Sequence, residues 1–278
     1  MSDAVLEKDM SAYWDRAGKV WVEQQALLDR LYAPIAKVVV DRADLRAGER
    51  VLDIGCGAGA TTFEAAWRVG PQGLAVGADI SGALLQLARQ RAGEAGLEGV
   101  DFVQADAQTH VFDPPFDAII SRFGVMFFPD PFAAFENLRR AVRPGGRLVF
   151  ASWRSAEDNA IAGVPLEAAA PFLPSVPVFE TDAPGRFGLA DPDRTRTILE
   201  AGGWRNVRIE PLDDPTPVSF DELLTMSLRV GPLNPALANQ DEAVREKVRE
   251  AVTRALEPYV KDGVARMNSA CWLVSAEG

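Results

Sequence analysis

A short apolar run, Arg50 to Ile54, passes directly into three glycines spaced one residue apart, Gly55-Cys56-Gly57-Ala58-Gly59. A helical stretch from Ala60 to Val69 follows, and Gly70-Pro71 stops it. This strand–turn–helix unit constrains the fold more than any other feature, because glycines at such a turn let the backbone take left-handed conformations and approach a ligand closely. The same alternation then repeats. Leu74 to Ala78 reads as a strand, and Ser81 is placed to N-cap a helix with Leu84, Leu87 and Ala88 on one face. Val100 to Gln104 and Phe116 to Ser121 read as further strands. Asp130-Pro131 supplies a cap and a first-turn proline to a helix carrying Phe132, Phe135, Leu138 and Val142. Arg143-Pro144-Gly145-Gly146 reads as a turn and Arg147 to Trp153 as the next strand. Strands alternating with helices predict a parallel sheet covered on both faces. Five such steps before residue 153 predict a doubly wound α/β sheet.

The flanks are less regular. Residues 10–45 are predicted helical from the spacing of Trp21, Gln25, Leu28, Tyr32 and Ile35, with Pro34 expected to kink or break the run. Residues 154–190 are proline-rich and predicted irregular. Asp191-Pro192 opens a helix that ends at Gly202-Gly203, and Val207 to Leu212 reads as a strand. Ser219 and Glu222 form a capping box. Val244, Val248, Val252 and Ala255 mark another amphipathic helix, and Ala270 to Ser275 a final strand. The expected organisation is an N-terminal helical cap over 1–45, a core over 46–212, a helical lid insertion over 213–267 and a closing core strand over 268–278.

The 278 residues carry a net charge of −11, and no basic run exceeds the pair Arg139-Arg140. A duplex binder needs a cationic face to displace phosphate counterions, so no nucleic-acid partner is expected. Two cysteines, Cys56 and Cys271, and a single histidine offer neither a disulfide framework nor metal-ligand spacing. The first ten residues are polar and acidic, unlike a secretory signal. No stretch of 18 apolar residues exists, so no membrane span is expected, and a reducing cytoplasm fits.

The glycine loop carries more than its glycines. Asp53 stands two residues before Gly55. A dinucleotide would bring its pyrophosphate to this loop and the helix start, where a carboxylate repels it. S-adenosylmethionine (SAM) has no phosphate and carries an ammonium and a sulfonium, which a carboxylate attracts. Asp79 ends the second strand, 20 residues after Gly59, where an acid can accept hydrogen bonds from ribose hydroxyls. Asp106 follows the third strand and could receive an adenine amino group, with the Ala107 N–H reaching a ring nitrogen. Each acid has a local alternative: Asp53 or Asp79 as a cap, Asp106 as a solvated loop acid.

The segments VLDIGCGAG, GADIS, QADAQ and RPGGRLV, in that order over residues 48–153, together resemble the class I SAM-dependent methyltransferases. YWDRAGKVW and SRFGVMFF are similar to the small-molecule, quinone-biosynthesis-like branch. The resemblance implies a Rossmann-like, doubly wound, seven-stranded sheet, mostly parallel with an antiparallel last strand. It implies SAM as methyl donor and S-adenosylhomocysteine (SAH) as product. It assigns Asp53, Gly55 and Gly57, with Cys56 between the glycines, to the methionine end, and Asp79 and Ile80 to ribose and adenine. Asp106 and Ala107 fall to the adenine, and Ser121 and Arg122 to the neighbourhood of the methyl group.

Asp113-Pro114-Pro115-Phe116 matches a tetrapeptide of DNA amino-methyltransferases, where it follows the fourth strand. Here it precedes that strand and reads as a turn. For the acceptor, the candidates are His110 as a base and Arg122 as a carboxylate clamp or a partner for an N-terminal acid. Phe123, Phe127 and Trp153 are candidates for an apolar acceptor pocket, and Met126 and Phe128 for packing. Tyr13 and Trp14 are placed either to close over a cationic cofactor or to staple the N-terminal helix to the core. The expected partner is a small molecule, with a homo-oligomer compatible. The rival readings are an NAD(P)-dependent oxidoreductase, a non-catalytic SAM-binding scaffold and a nucleic-acid methyltransferase.

Overall fold

The computed structural model describes residues 10–179 and 183–278. Among them the elements run α1 (Met10–Glu23), α2 (Gln25–Arg42), β1 (Arg50–Ile54), α3 (Ala60–Val69), β2 (Leu74–Asp79), α4 (Gly82–Glu94), β3 (Val100–Gln104), β4 (Phe116–Arg122), α5 (Pro131–Ala141) and β5 (Val142–Trp153). Then follow α6 (Val164–Ala169), α7 (Pro192–Ala201), β6 (Arg205–Ser219), α8 (Phe220–Thr225), α9 (Leu233–Ala238), α10 (Glu242–Leu256), β7 (Val260–Lys261) and β8 (Val264–Glu277). The sheet is Rossmann-like and mixed. Its order is β3-β2-β1-β4-β5-β8-β6, with the two-residue β7 pairing only with β8. Strands β3, β2, β1, β4 and β5 are parallel, and β8 runs antiparallel to β5 from Arg147↔Glu277 to Trp153↔Cys271. β1 lies between β2 and β4, so the chain order reverses there, and the carboxyl ends of β1 and β4 flank the crevice where open α/β sheets bind ligands.

The chain forms two compact units. The larger comprises residues 10–154, 183–212 and 271–278 of those described, the smaller 155–179 and 213–270. In the larger unit, Val51, Leu52, Ile119, Ile120, Leu148 and Phe150 are fully buried because helices cover the central strands. α2 packs on α3, β4 and β5, and α5 on α7 and β5. In the smaller unit, α10 packs on α6 through a seam that includes Val248, Val252 and Leu256. No described helix is long and apolar enough to cross a membrane.

Several boundaries differ from expectation for identifiable reasons. Pro34 does not break its helix. α2 runs through it, and the burial of Leu31, Ile35, Val39 and Val40 offsets the one backbone hydrogen bond a proline forfeits. The interruption falls at Gln24, whose φ of −103° and ψ of 13° are not helical. The Arg143–Gly146 turn is a bulge inside β5, since the register jumps from Phe116↔Val142 to Ala118↔Arg147. Gly145 in that bulge donates to the Gly278 carbonyl, and the Gly278 N–H to Gly146. β6 and β8 are longer than the apolar runs that signalled them, so residues 213–219 and 264–267 are strand rather than helix.

Candidate active site

All three motif glycines adopt left-handed φ, 65° at Gly55, 54° at Gly57 and 87° at Gly59. Two of them serve different ends. A Cβ on Gly55 would lie 2.5 Å from the Gly124 Cα, so the loop after β1 and the loop after β4 touch backbone to backbone. A Cβ on Gly57 would meet nothing within 4 Å. Gly57 therefore faces open space, over which a ligand can lie against bare backbone.

Two carboxylates underlie this cradle. Asp79, buried at the end of β2, accepts from the Gly57 N–H at 2.8 Å and from the Ser81 N–H at 2.8 Å. The carboxylate's four lone-pair sites exceed the N–H donors that reach it. Ser81 meanwhile caps α4, accepting from the Leu84 N–H, so the two residues share the helix start and Asp79 is not its cap. Burial raises the pKa of Asp79, against the hydrogen bonds it accepts from the Ser81, Gly57 and Ile80 N–H groups.

Asp53 is 1% exposed in β1. Its Oδ2 accepts from the Thr62 hydroxyl at 2.7 Å, and its Oδ1 has no partner. Burial pushes its pKa up to about 7, opposed by the Thr62 hydrogen bond and the charge of Arg122 and reinforced by Asp79. An orphaned buried carboxylate oxygen is costly in a folded protein and marks a position where a further donor or cation is to be supplied.

The remaining candidates divide. Cys56 turns its side chain into the core with Phe63, Leu85 and Phe102, where burial raises its thiol pKa far above normal, and its N–H already bonds Ala78. Only the Cys56 backbone belongs to the loop surface. The Ile80 carbonyl accepts from Gln104 Nε2 at 3.1 Å. Asp106 is exposed and closes its own loop by accepting from the Gln108 N–H at 2.9 Å. The buried Asn137 of α5 holds that loop from beneath through the Ala107 and His110 carbonyls. His110 itself is exposed, with its ring edge-on to Phe112 at 4.7 Å. Phe112 in turn packs toward Phe116, at the opposite end of β4 from Ser121. The tetrapeptide at 113–116 likewise lies ahead of β4.

At the carboxyl end of β4, Ser121 donates to the Ile54 carbonyl at 2.7 Å and accepts from the Gly124 N–H at 3.1 Å. Its buried hydroxyl thus clamps β4 to β1. Arg122 is half-buried, with its guanidinium 5.7 Å from the Tyr32 ring centroid and Nη1 3.5 Å from the Tyr32 carbonyl. Burial lowers its pKa against the nearby charges of Asp29 and Asp53, although a guanidinium stays protonated throughout. It borders a cavity of about 450 Å³ with Asp29, Ala60, Phe63 and Arg91. Arg91 links Asp29 of α2 to the Ala58 carbonyl, tying the glycine loop to that helix.

Phe123 carries a φ of 66°, unusual for an aromatic residue, and stacks on Trp153 at 4.5 Å and 10°. Tyr32 meets both rings edge-on. Phe127 instead meets Trp14 of α1 at 5.1 Å. The side chain of Tyr13 lies outside the described residues. Met126 and Phe128 are buried, Phe128 against Phe135. Thr62, Gly124 and Asn137 were not legible as site residues. Thr62 sits nine residues after Asp53, one turn into α3, a spacing that only the strand–loop–helix geometry turns into a contact.

A family profile described as a methyltransferase domain matches residues 45–194, more than half of the chain. The chain belongs to this family. It is a class I SAM-dependent methyltransferase. The methyltransferase is similar to aklanonic acid methyltransferase DauC of Streptomyces sp. (strain C5), 34% identical over 55% of this chain and 68% of that protein. It is also similar to the ubiquinone/menaquinone biosynthesis C-methyltransferase UbiE of Hahella chejuensis, 37% identical over 41% of this chain and 46% of that protein. The methyltransferase thus spans about half the length of several curated relatives it matches. Its fold matches that of phosphoethanolamine N-methyltransferase 2 of Haemonchus contortus, solved with S-adenosyl-L-methionine, at a TM-score of 0.61 and 17% identity over 100% of this chain and 61% of that one.

Proposed function

We propose that the chain transfers the SAM methyl group to a small apolar or aromatic acceptor held at the carboxyl ends of β4 and β5. The observation that carries this reading is the orphaned Oδ1 of buried Asp53, on the strand that leads into the open-faced Gly57 loop. A dinucleotide pyrophosphate would meet an anion there, whereas the ammonium of SAM supplies the missing partner. Gly55, Gly57 and the Cys56 backbone would support the methionine end, and the free lone pairs of Asp79, with Ile80, the ribose. Asp106 and Ala107 would border the adenine, Ser121 and Arg122 the methyl, and Trp14 the outer side of the donor.

SAM supplies a methyl group on a sulfonium that leaves readily, so the protein's main task is alignment. The clamp of Ser121 on Ile54 and the contact between Gly55 and Gly124 hold the donor loop and the acceptor loop in fixed register. Phe123, Phe127 and Trp153 exclude water from the acceptor side, and Arg122 biases it toward anionic groups. His110, exposed against Phe112 on the side of Phe116, is assigned no part in the transfer. The seven strands of the continuous path are the working sheet, and the segment between β6 and β8 is an insertion ahead of its last part. The two buried cysteines, neither in a disulfide, suit a cytoplasmic setting.

Calorimetric titration tests the donor. SAM and SAH should bind and NADH should not; NADH binding with no SAH affinity would overturn the reading. Turnover of SAM with an aromatic acceptor panel separates an enzyme from a binding scaffold.

A further inference from the structure

An arginine adjoins the stacked pair Phe123–Trp153. The Arg186 guanidinium lies 4.3 Å from the Trp153 ring centroid and 6.0 Å from that of Phe187. Building on the acceptor site assigned above, we propose that Arg186 is its specificity-determining residue and selects acceptors that carry a carboxylate.

Three observations carry this. First, the arginine is held in place. Gly188 donates to the Gly185 carbonyl at 3.1 Å, making a turn with Arg186 at its second position. Gly185 donates to the Met126 carbonyl at 3.0 Å, which fixes that turn on the loop after β4. Arg194 of α7 closes the other end by donating to Gly188 at 3.0 Å. Second, a guanidinium held over a ring by cation–π attraction still carries N–H donors that a carboxylate can take up. Among the described residues no acid pairs with Arg186, and the side chain is half-buried rather than splayed into water. Third, the charge is concentrated at one end of the sheet. Tyr32, buried and raised in pKa by that burial, feels Arg186 and Arg122 as two converging cations. Two arginines at one end of the sheet attract an anion more strongly than a neutral molecule of the same shape. None of this was visible in the sequence, where Arg186 sits in a proline-rich stretch 33 residues after Trp153.

The test uses the full chain saturated with SAH and a matched probe pair, 2-naphthoate and 2-naphthamide, titrated calorimetrically. The wild-type protein should favour the carboxylate by about tenfold or more, the worth of a charge-assisted hydrogen-bond pair. Arg186→Gln should remove that preference by weakening naphthoate alone, leaving naphthamide and SAH binding within about twofold. Arg186→Lys should keep part of the preference. A purely structural role for Arg186 would weaken both probes alike, and that result overturns the proposal. So would equal affinity of the wild type for the two probes, or no binding of either to an SAH-loaded protein. Absence of SAH binding is a separate result: it removes the methyl-donor reading and the acceptor site with it.

Discussion

Donor binding should expel a proton from Asp53. The free carboxyl titrates at about 7, so at that pH about half the molecules hold its proton. An ammonium within ~4–6 Å of a carboxylate lowers its pKa by about 1–3. A fall of about 2 would bring Asp53 near 5 in the complex, where it is almost fully ionised at neutral pH. Binding at pH 7 should then release about half a proton. Affinity should rise about tenfold per pH unit between roughly 5 and 7, about 2.7 kcal/mol in all. The assay is calorimetry with SAH at pH 7 in two buffers of different ionisation enthalpy, since the slope of apparent enthalpy against that enthalpy counts protons. Asp53→Asn serves as the control, because it removes this proton and leaves any contribution from Asp79 in place. A zero slope in the wild-type protein, or the same slope in Asp53→Asn, would refute the assignment of Asp53 as the donor's counter-charge.

The same carboxyl predicts a trade between binding and stability. Its folded pKa of about 7 exceeds the ordinary 3.8, so the folded protein holds the proton more tightly than the unfolded chain. Stability therefore falls as pH rises from about 4 to 7, by on the order of 4 kcal/mol. Asp53→Asn should unfold at higher temperature than wild type at pH 8 while binding SAH less tightly, and a lower melting temperature would contradict this. Asp79→Ala should weaken SAH binding by about 1–3 kcal/mol in titration, since it removes the ribose acceptor and strands the Gly57 and Ser81 N–H groups. Gly57→Ala should cost only about 1–2 kcal/mol of stability in denaturant unfolding, for its left-handed φ, yet strongly weaken SAH binding because its methyl enters the ligand's space. His110→Ala should leave both the melting temperature and the neutral pH profile of turnover unchanged, and a lost pH limb would restore its role as base.

Much of the donor side is legible because its parts are local. Gly55, Gly57 and Asp53 fall within five consecutive residues of one strand and turn, and Asp79 falls at the end of the next strand, so strand–loop–helix grammar alone places them together. The proposed acceptor side is built the other way. Tyr32 meets Phe123 and Trp153, and Trp153 meets Arg186, across separations that no motif encodes. Ser121 is placed by its strand, but the bond of its hydroxyl to the Ile54 carbonyl depends on which strand lies beside β4.

The alternation of apolar runs, caps and glycines determined by itself the doubly wound sheet, the left-handed glycine turn after β1 and the acids placed beside it, because each arises from interactions within a few residues of chain. Tertiary structure alone decided which oxygen of Asp53 is left without a partner, how two glycine backbones come into contact, and which arginine stacks on Trp153. Those outcomes depend on burial and on distant segments meeting, and a buried carboxylate or a stacked guanidinium acquires its chemistry from what surrounds it rather than from its neighbours in sequence.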